Sequence, residues 1–351
     1  MTSPNLLSLV LGLIISSFLI TSLLVVPFIN FLYKMKLTRK KEAPQKGVVP
    51  LFDKLHDKKA GTPVGGGILL IIVISILFTV IFSFASRMGV FIQCSYNLKY
   101  ELFIVFFTFI SFGLVGLSDD LVKIFGKPKA GVKGLLFGLG RWQKFSLQWF
   151  FAFLIGYAIY KHLGIQFIHI PFVSKTLTLG PWYIPFAAFT IVSFTNAFNI
   201  TDGLDGLASG LLLICLTAFG VILAGRLDTP LSLFIAIWIG TLIAFLYFNT
   251  WPARIFLGDS GALSFGATLA VVGLLSGSII ALVVIGGIFV IEIASSAVQI
   301  FGWKFLKKPI LPLSPLHNTF LSIGWEESKV VFRAWLAGII LAIFGLWLAT
   351  I

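Results

Sequence analysis

Residues 231–250 run Leu231-Ser-Leu-Phe-Ile-Ala-Ile-Trp-Ile-Gly-Thr-Leu-Ile-Ala-Phe-Leu-Tyr-Phe-Asn-Thr250, 20 positions without a charged side chain. About 20 consecutive apolar residues are what a helix needs to cross the ~30 Å hydrocarbon core of a bilayer. Working outward, similar runs fall at 5–33, 63–86, 100–118, 145–163, 181–200, 204–225, 259–277, 278–302 and 331–351. The apolar run after Gly258 is divided near Gly273–Gly277. The run at 5–33 is long for a signal-peptide core and lacks a basic start and a small-residue cleavage site, so a retained anchor is expected.

Composition agrees. The chain has 351 residues, 58% of them hydrophobic and 11% charged, with 26 Lys+Arg against 13 Asp+Glu. Soluble domains carry about 25% charged residues. An ordinary soluble enzyme, a disordered chain and a basic nucleic-acid-binding protein are all excluded. Cys94 and Cys215 are too few and too isolated for a disulfide scaffold or a zinc cluster. The expected fold is an all-α polytopic membrane protein of about ten transmembrane helices, forming a single integral-membrane domain over 1–351.

Loop charges orient it. If the N-terminus lies outside, 21 Lys and Arg fall on one side of the membrane and 5 on the other. The positive-inside rule puts the 21-rich side in the cytoplasm and both termini outside. The same basic loops suit anionic headgroups or phosphate substrates.

The acids then become informative. Asp119 and Asp120 end the third span, Asp202 and Asp205 lie between the fifth and sixth, and Asp259 opens the eighth. All five fall at cytoplasmic span ends, in a topology set without them, and acids near hydrocarbon are costly and usually functional. Five carboxylates repel one another, so positive charge belongs among them. A hard cation such as Mg²⁺, bound by one or two Asp and completed by substrate phosphates, meets that need. A carboxylate beside another also makes a general base.

Capping competes with function for Asp259, because a span-start Asp is often an N-cap. It explains Asp119-Asp120 poorly, because the macrodipole disfavours negative charge at a helix C-terminus. Asp202-x-x-Asp205 is spaced for one helix face. Asn196, Asn199 and Asn249 are amides at the same ends, either structural or available to phosphate, sugar or uracil. Lys59 precedes Gly-Thr-Pro, which reads as a helix start with Thr62 as N-cap, Pro63 at the first helical position and backbone N–H groups free for a phosphate. No P-loop spacing is present. His317 sits in a loop framed by Pro309, Pro312 and Pro315 that can carry it to the acids.

Four blocks carry a resemblance. They are Lys59-Ala-Gly-Thr-Pro-Val-Gly-Gly, Ser118-Asp-Asp-Leu-Val-Lys123, Asn196-Ala-Phe-Asn-Ile-Thr-Asp-Gly-Leu-Asp-Gly-Leu-Ala, and Phe256-Leu-Gly-Asp-Ser-Gly-Ala. A fifth, Pro315-Leu-His-Asn-Thr-Phe with Gly324-Trp-Glu, matches in part. In this order they resemble the polyprenyl-phosphate N-acetylhexosamine-1-phosphate transferases, and within them the phospho-N-acetylmuramoyl-pentapeptide transferase branch.

The resemblance implies ten transmembrane helices in a bacterial plasma membrane, with the active site facing the cytoplasm. It implies transfer of phospho-N-acetylmuramoyl-pentapeptide from its UDP-linked donor to polyprenyl (undecaprenyl) phosphate with release of UMP, the first membrane step of peptidoglycan synthesis. It further implies Mg²⁺ as cofactor and a homodimer.

Carried over by position, Asp119 resembles the acid that deprotonates the lipid phosphate, Asp120 its partner and Asp259 the Mg²⁺ ligand, with His317 beside them. Asn196, Asn199, Asp202, Asp205, Asn249 and Lys59 resemble nucleotide or diphosphate contacts, and Lys123, Lys127 and Lys133 basic residues near the phosphates. One departure is His317-Asn318-Thr319, where the muramyl branch usually has three His. This leaves sugar specificity open, so a sister transferase using UDP-N-acetylglucosamine or a related UDP-sugar stays in view. A smaller departure is Val64, where Thr is common. A transporter would also explain intramembrane acids, though transporters place them near the midplane.

Overall fold

The computed structural model describes residues 4–39, 59–85, 92–125, 139–171, 173 and 175–351. Its helices are α1 (Pro4–Lys34), α2 (Gly66–Ala85), α3 (Leu98–Phe125), α4 (Arg141–Leu163), α5 (Tyr183–Thr201), α6 (Leu207–Arg226), α7 (Thr229–Asn249), α8 (Gly258–Leu275), α9 (Ile279–Ile285), α10 (Gly287–Phe301), α11 (Leu316–Ser322) and α12 (Glu327–Thr350). A hairpin of β1 (Phe167–Ile170) and β2 (Lys175–Thr178) joins α4 to α5. Each of the ten expected spans is occupied by helix. Among the described residues, nine helical segments are long and apolar enough to cross a membrane. The fourth expected span, α4, is not one of them: Arg141, Gln143, Lys144 and Gln148 occupy its start and Lys161 and His162 its last turn.

The elements differ from expectation at four places. The third span continues past residue 118 to Phe125, so Asp119, Asp120 and Lys123 ride on the last two turns of α3. The ninth is broken at Gly286 into α9 and α10, and α10 runs on into a π-helical turn, Gly302–Leu306. A Cβ at Gly286 would lie 2.7 Å from the Phe194 ring. Asp202 and Asp205 share no helix face, because α5 ends at Thr201 and Gly206, at φ +78°, turns the chain into α6.

The last concerns Thr62 and Pro63, which start no helix. Pro63 bridges Thr38, Val64 bridges Phe256, and α2 begins at Gly66. The N–H groups of Gly65, Gly66 and Gly67 donate to the carbonyls of Phe256 and Leu257 and are therefore not free for a phosphate.

The core is built around α8. Every residue from Ser260 to Leu275 is buried, and α2, α3 and α5 pack on it. Small residues set these distances, as they do where helices cross in membranes. A Cβ on Gly67 would overlap the Gly261 backbone, and one on Gly261 would lie 2.8 Å from Gly67 Cα. Aromatic rings fill the next layer: Phe109 stacks on Phe265 at 5.8 Å, and Trp238 meets Phe265 edge-on at 5.2 Å.

Candidate active site

Asp259 stands in the first turn of α8, and Asp119 and Asp120 come to it from α3. Gly116, one turn before Asp120, makes this approach possible. A Cβ there would overlap the Asp259 carbonyl group and lie 2.6 Å from Ser260 Cα. Asp120 does the capping that the sequence left open for Asp259. Its Oδ1 accepts the Asp259 N–H and its Oδ2 the Ser260 N–H, both at 3.0 Å. These N–H groups are among the orphan donors at the start of α8, so the cap comes from a different helix.

That leaves the Asp259 carboxylate free to face Asp119, and two lysines hold the pair together. Lys123 Nζ lies 2.9 Å from Asp119 Oδ2 and 2.7 Å from Asp259 Oδ2. Lys144 Nζ lies 2.9 Å and 2.5 Å from the same two atoms. Asp119 Oδ1 accepts the Leu139 N–H at 2.7 Å. The positive charge demanded by clustered acids is thus supplied here by ammonium groups. Lys144 counts only as a loop charge in the sequence; its position, one residue past Gln143 at the start of α4, gives no sign of its partners.

A second cluster forms where the 202–206 turn meets α12. Buried Lys59 pairs with Asp205 Oδ1 at 2.7 Å and Glu327 Oε1 at 2.6 Å, and donates to the Gly203 carbonyl at 3.3 Å. Asp205 Oδ2 accepts the Ala253 N–H at 2.9 Å, and the Asp205 N–H donates to Glu327 Oε1 at 2.7 Å. Without Glu327, Lys59 keeps Asp205 as a partner but the Asp205 N–H loses its acceptor, so Glu327→Ala is expected to cost about 1–3 kcal/mol of stability. Thermal unfolding in detergent checks this, and a melting temperature equal to the wild type's would contradict the pairing.

Asp202 sits between the clusters. Burial, then the negative charge of Asp259, holds its carboxyl well above the usual carboxylate range; Lys59 opposes this, and Asp205 and Asp120 add to it. His317 lies not in the proline-framed loop but in the first turn of α11, which follows it, and there it meets Glu292 of α10. Its Nδ1 lies 3.0 Å from Glu292 Oε2, and its backbone N–H donates to Glu292 Oε1 at 3.1 Å. A carboxylate only accepts, which assigns the ring proton to Nδ1 and leaves Nε2 toward the turn. A Cβ on Gly203 would stand 2.6 Å from that Nε2. Next to it, Asn318 is buried, and its Oδ1 has no hydrogen-bond partner among the described residues.

The amides divide. Asn249 is buried, accepts from Ser209 Oγ and donates to the Ile255 carbonyl, both at 2.9 Å, and so ties the 249–255 loop to α6. Asn196 donates to Gln148 Oε1 at 2.7 Å and to the Val192 carbonyl at 2.8 Å. Asn199 lies half-buried on the last turn of α5. Lys127 and Lys133 lie outside the described residues. Beyond Lys144, sequence reasoning missed Glu327, Gln148 and Glu292. Only Glu292 had a signal, as the lone acid within 278–302.

An all-α bundle with nine membrane-length helices among its described residues, carrying lysine-bridged carboxylates where helix ends meet, is a multi-pass membrane protein with a site suited to anionic groups. Residues 102–277 match the family model described as glycosyl transferase family 4, and the chain belongs to this family. It is 36% identical over 320 residues to the phospho-N-acetylmuramoyl-pentapeptide-transferase of Clostridium perfringens (strain 13 / Type A), covering 91% of this chain and 92% of that one. The proteins of the same name from Geobacillus sp. (strain WCH70) and Bacillus velezensis are each 34% identical. They cover 95% and 97% of this chain, and 96% and 97% of their own. The resemblance carried by the motif blocks therefore holds over nearly the whole length.

Proposed function

We propose that the chain transfers phospho-N-acetylmuramoyl-pentapeptide from its UDP-linked donor to polyprenyl phosphate, releasing UMP. The observation that carries this reading is the meeting of Asp119 and Asp259 on Lys123 and Lys144, supported by full-length relatives bearing that name. One oxygen of the lipid phosphate attacks the β-phosphorus of the donor. The bond from that phosphorus to the bridging oxygen breaks, UMP leaves with the oxygen, and a new diphosphate links lipid and sugar. One phosphoanhydride replaces another, so no further energy source is needed.

Asp119 takes any proton remaining on the lipid phosphate. Lys123 and Lys144 neutralise charge on the transferring phosphoryl oxygens. Asp120 fixes Asp259 by holding the start of α8. Lys59, Asp205 and His317 line the adjoining side, where the nucleotide and diphosphate of the donor are placed, with Asn196, Asn199 and Asp202 near them.

The donor set fits Mg²⁺. Asp119 and Asp259 turn their Oδ2 atoms to the same ammonium groups, and one or two carboxylates completed by phosphate oxygens and water is the usual Mg²⁺ shell. Asp259 is the proposed protein ligand. When bound, the ion would add charge neutralisation at the phosphates.

We place the site at the cytoplasmic face of a bacterial plasma membrane, on the strength of the 21-to-5 division of basic residues, and take a homodimer as the assembly by family resemblance. Purified protein given polyprenyl phosphate, Mg²⁺ and UDP-N-acetylmuramoyl-pentapeptide should release UMP. Release with UDP-N-acetylglucosamine alone would instead assign it to the sister activity.

A further inference from the structure

Glu292 is the one acid in the apolar run 278–302, and it is buried on α10 in a segment long and apolar enough to cross a membrane. A carboxylate there is costly. Its neighbours along α10 show what holding the following loop requires. Ser295 Oγ accepts the Leu316 N–H at 3.0 Å. Gln299 Oε1 accepts the Ile310 and Leu311 N–H groups at 3.1 and 2.9 Å, and its Nε2 donates to the Leu311 carbonyl at 3.0 Å. Positions 292, 295 and 299 are spaced i, i+3 and i+7, one stripe along the helix. Two of them bind the chain with neutral groups. The charged one faces the imidazole of His317.

The two oxygens of Glu292 have separate tasks. Oε1 accepts the His317 backbone N–H, one of the donors left open at the start of α11, at 3.1 Å. Oε2 faces Nδ1 at 3.0 Å. The first task needs only an acceptor, and an amide oxygen would serve. The second needs the carboxylate. A glutamine at 292 must turn its oxygen to the backbone N–H, which can only donate, and its NH2 group then meets Nδ1. That displaces the ring proton to Nε2 and excludes a doubly protonated ring. With Glu292 in place the proton stays on Nδ1, because the hydrogen bond at one ring nitrogen sets the state of the other. Nε2 is then left to take up or hand over a proton at the 202–206 turn, where a Cβ on Gly203 would stand 2.6 Å from it. His317 is also the one imidazole between α10 and α12, because Asn318 and Thr319 follow it.

We propose that Glu292 is a positioning residue for the transfer reaction. It keeps Nδ1 of His317 protonated and so sets what Nε2 offers to the donor diphosphate beside the 202–206 turn. Glu292 acts through His317 and not on the substrate. Its effect on rate rests on the transferase reading above, whereas its hold on the ring proton does not.

The test is Glu292→Gln, which is nearly isosteric and keeps the bond to the backbone N–H. It should lower kcat for UMP release about 10²-fold, the low end of what a positioned acid–base group contributes, with the KM of the donor little changed and unfolding still cooperative. In a His317→Ala background the same substitution should change kcat by less than about twofold, because a residue that acts through its neighbour has nothing left to act on. Independently of turnover, nitrogen-15 NMR of the full chain in detergent, labelled at its four histidines, reads the ring directly. The His317 signals, assigned by their loss in His317→Ala, should show Nδ1 protonated in the wild type and unprotonated in Glu292→Gln. Wild-type kcat in Glu292→Gln, an undiminished effect in the His317→Ala background, the same ring protonation in both proteins, or loss of cooperative unfolding would each overturn the proposal. A wild type that releases no UMP would overturn the transferase reading instead, and the NMR comparison would still decide whether Glu292 holds the ring proton.

Discussion

Asp119→Asn is expected to lower kcat for UMP release by about 10²–10⁴-fold, the range lost when a positioned general base is removed. The change is nearly isosteric. The Asn oxygen can still accept the Leu139 N–H, and Lys123 and Lys144 keep Asp259 as a partner. Stability should therefore change little, and the loss should lie in chemistry rather than folding. Single-turnover kinetics with saturating acceptor, alongside thermal unfolding of the same preparation, measures both. A variant within tenfold of wild-type kcat would remove Asp119 from the reaction.

Gly116→Ala is the second large effect, and it touches no reacting atom. The added Cβ meets backbone, at the Asp259 carbonyl and Ser260 Cα, so rotation of a side chain cannot relieve it. The start of α8 must move away from α3. Overpacking of this kind costs about 1–3 kcal/mol. Displacing a reacting group by about 1 Å can cost ~10²-fold in rate. Activity should fall by that factor while the purified variant still unfolds cooperatively. Wild-type kcat in Gly116→Ala would show that the separation of α3 and α8 does not set the geometry of Asp259.

The spans were legible because the bilayer imposes one rule on sequence, an uncharged run of fixed length, and residues 231–250 obey it without ambiguity. Where that rule is diluted, the sequence says less. The α4 helix carries Lys144 and Gln148 at its start because they face the site and Asn196 rather than lipid, and only the neighbouring helices reveal this. The acids were legible as a group for the same reason: carboxylates at span ends are conspicuous in an apolar chain.

Their division of labour was not. Asp119 and Asp120 are adjacent, yet one meets two ammonium groups and the other caps a helix 139 residues further on. Adjacent helical residues point about 100° apart, and what each meets is fixed by tertiary packing. Asp202 and Asp205 are spaced for one helix face, but α5 ends at Thr201 and Gly206 turns the chain before α6 begins. Free N–H groups are expected at a helix start set by Thr62 and Pro63, but those of Gly65, Gly66 and Gly67 are taken by Phe256 and Leu257, a pairing no local pattern encodes.

The enclosure of α8 has a consequence for motion. Opening energies within a protein range from near zero at frayed ends to the full unfolding free energy in its most protected elements. From Ser260 to Leu275, α8 has no exposed residue, and Asp120 pins the N–H groups where such a helix would otherwise fray. Its amides should be among the last to exchange with deuterated solvent, while those of the lipid-exposed α1 and α12 exchange sooner. Asp259 is thereby mounted at the start of a fully enclosed helix, and the accommodation of a large donor and a long acceptor falls to the turns and helices around it.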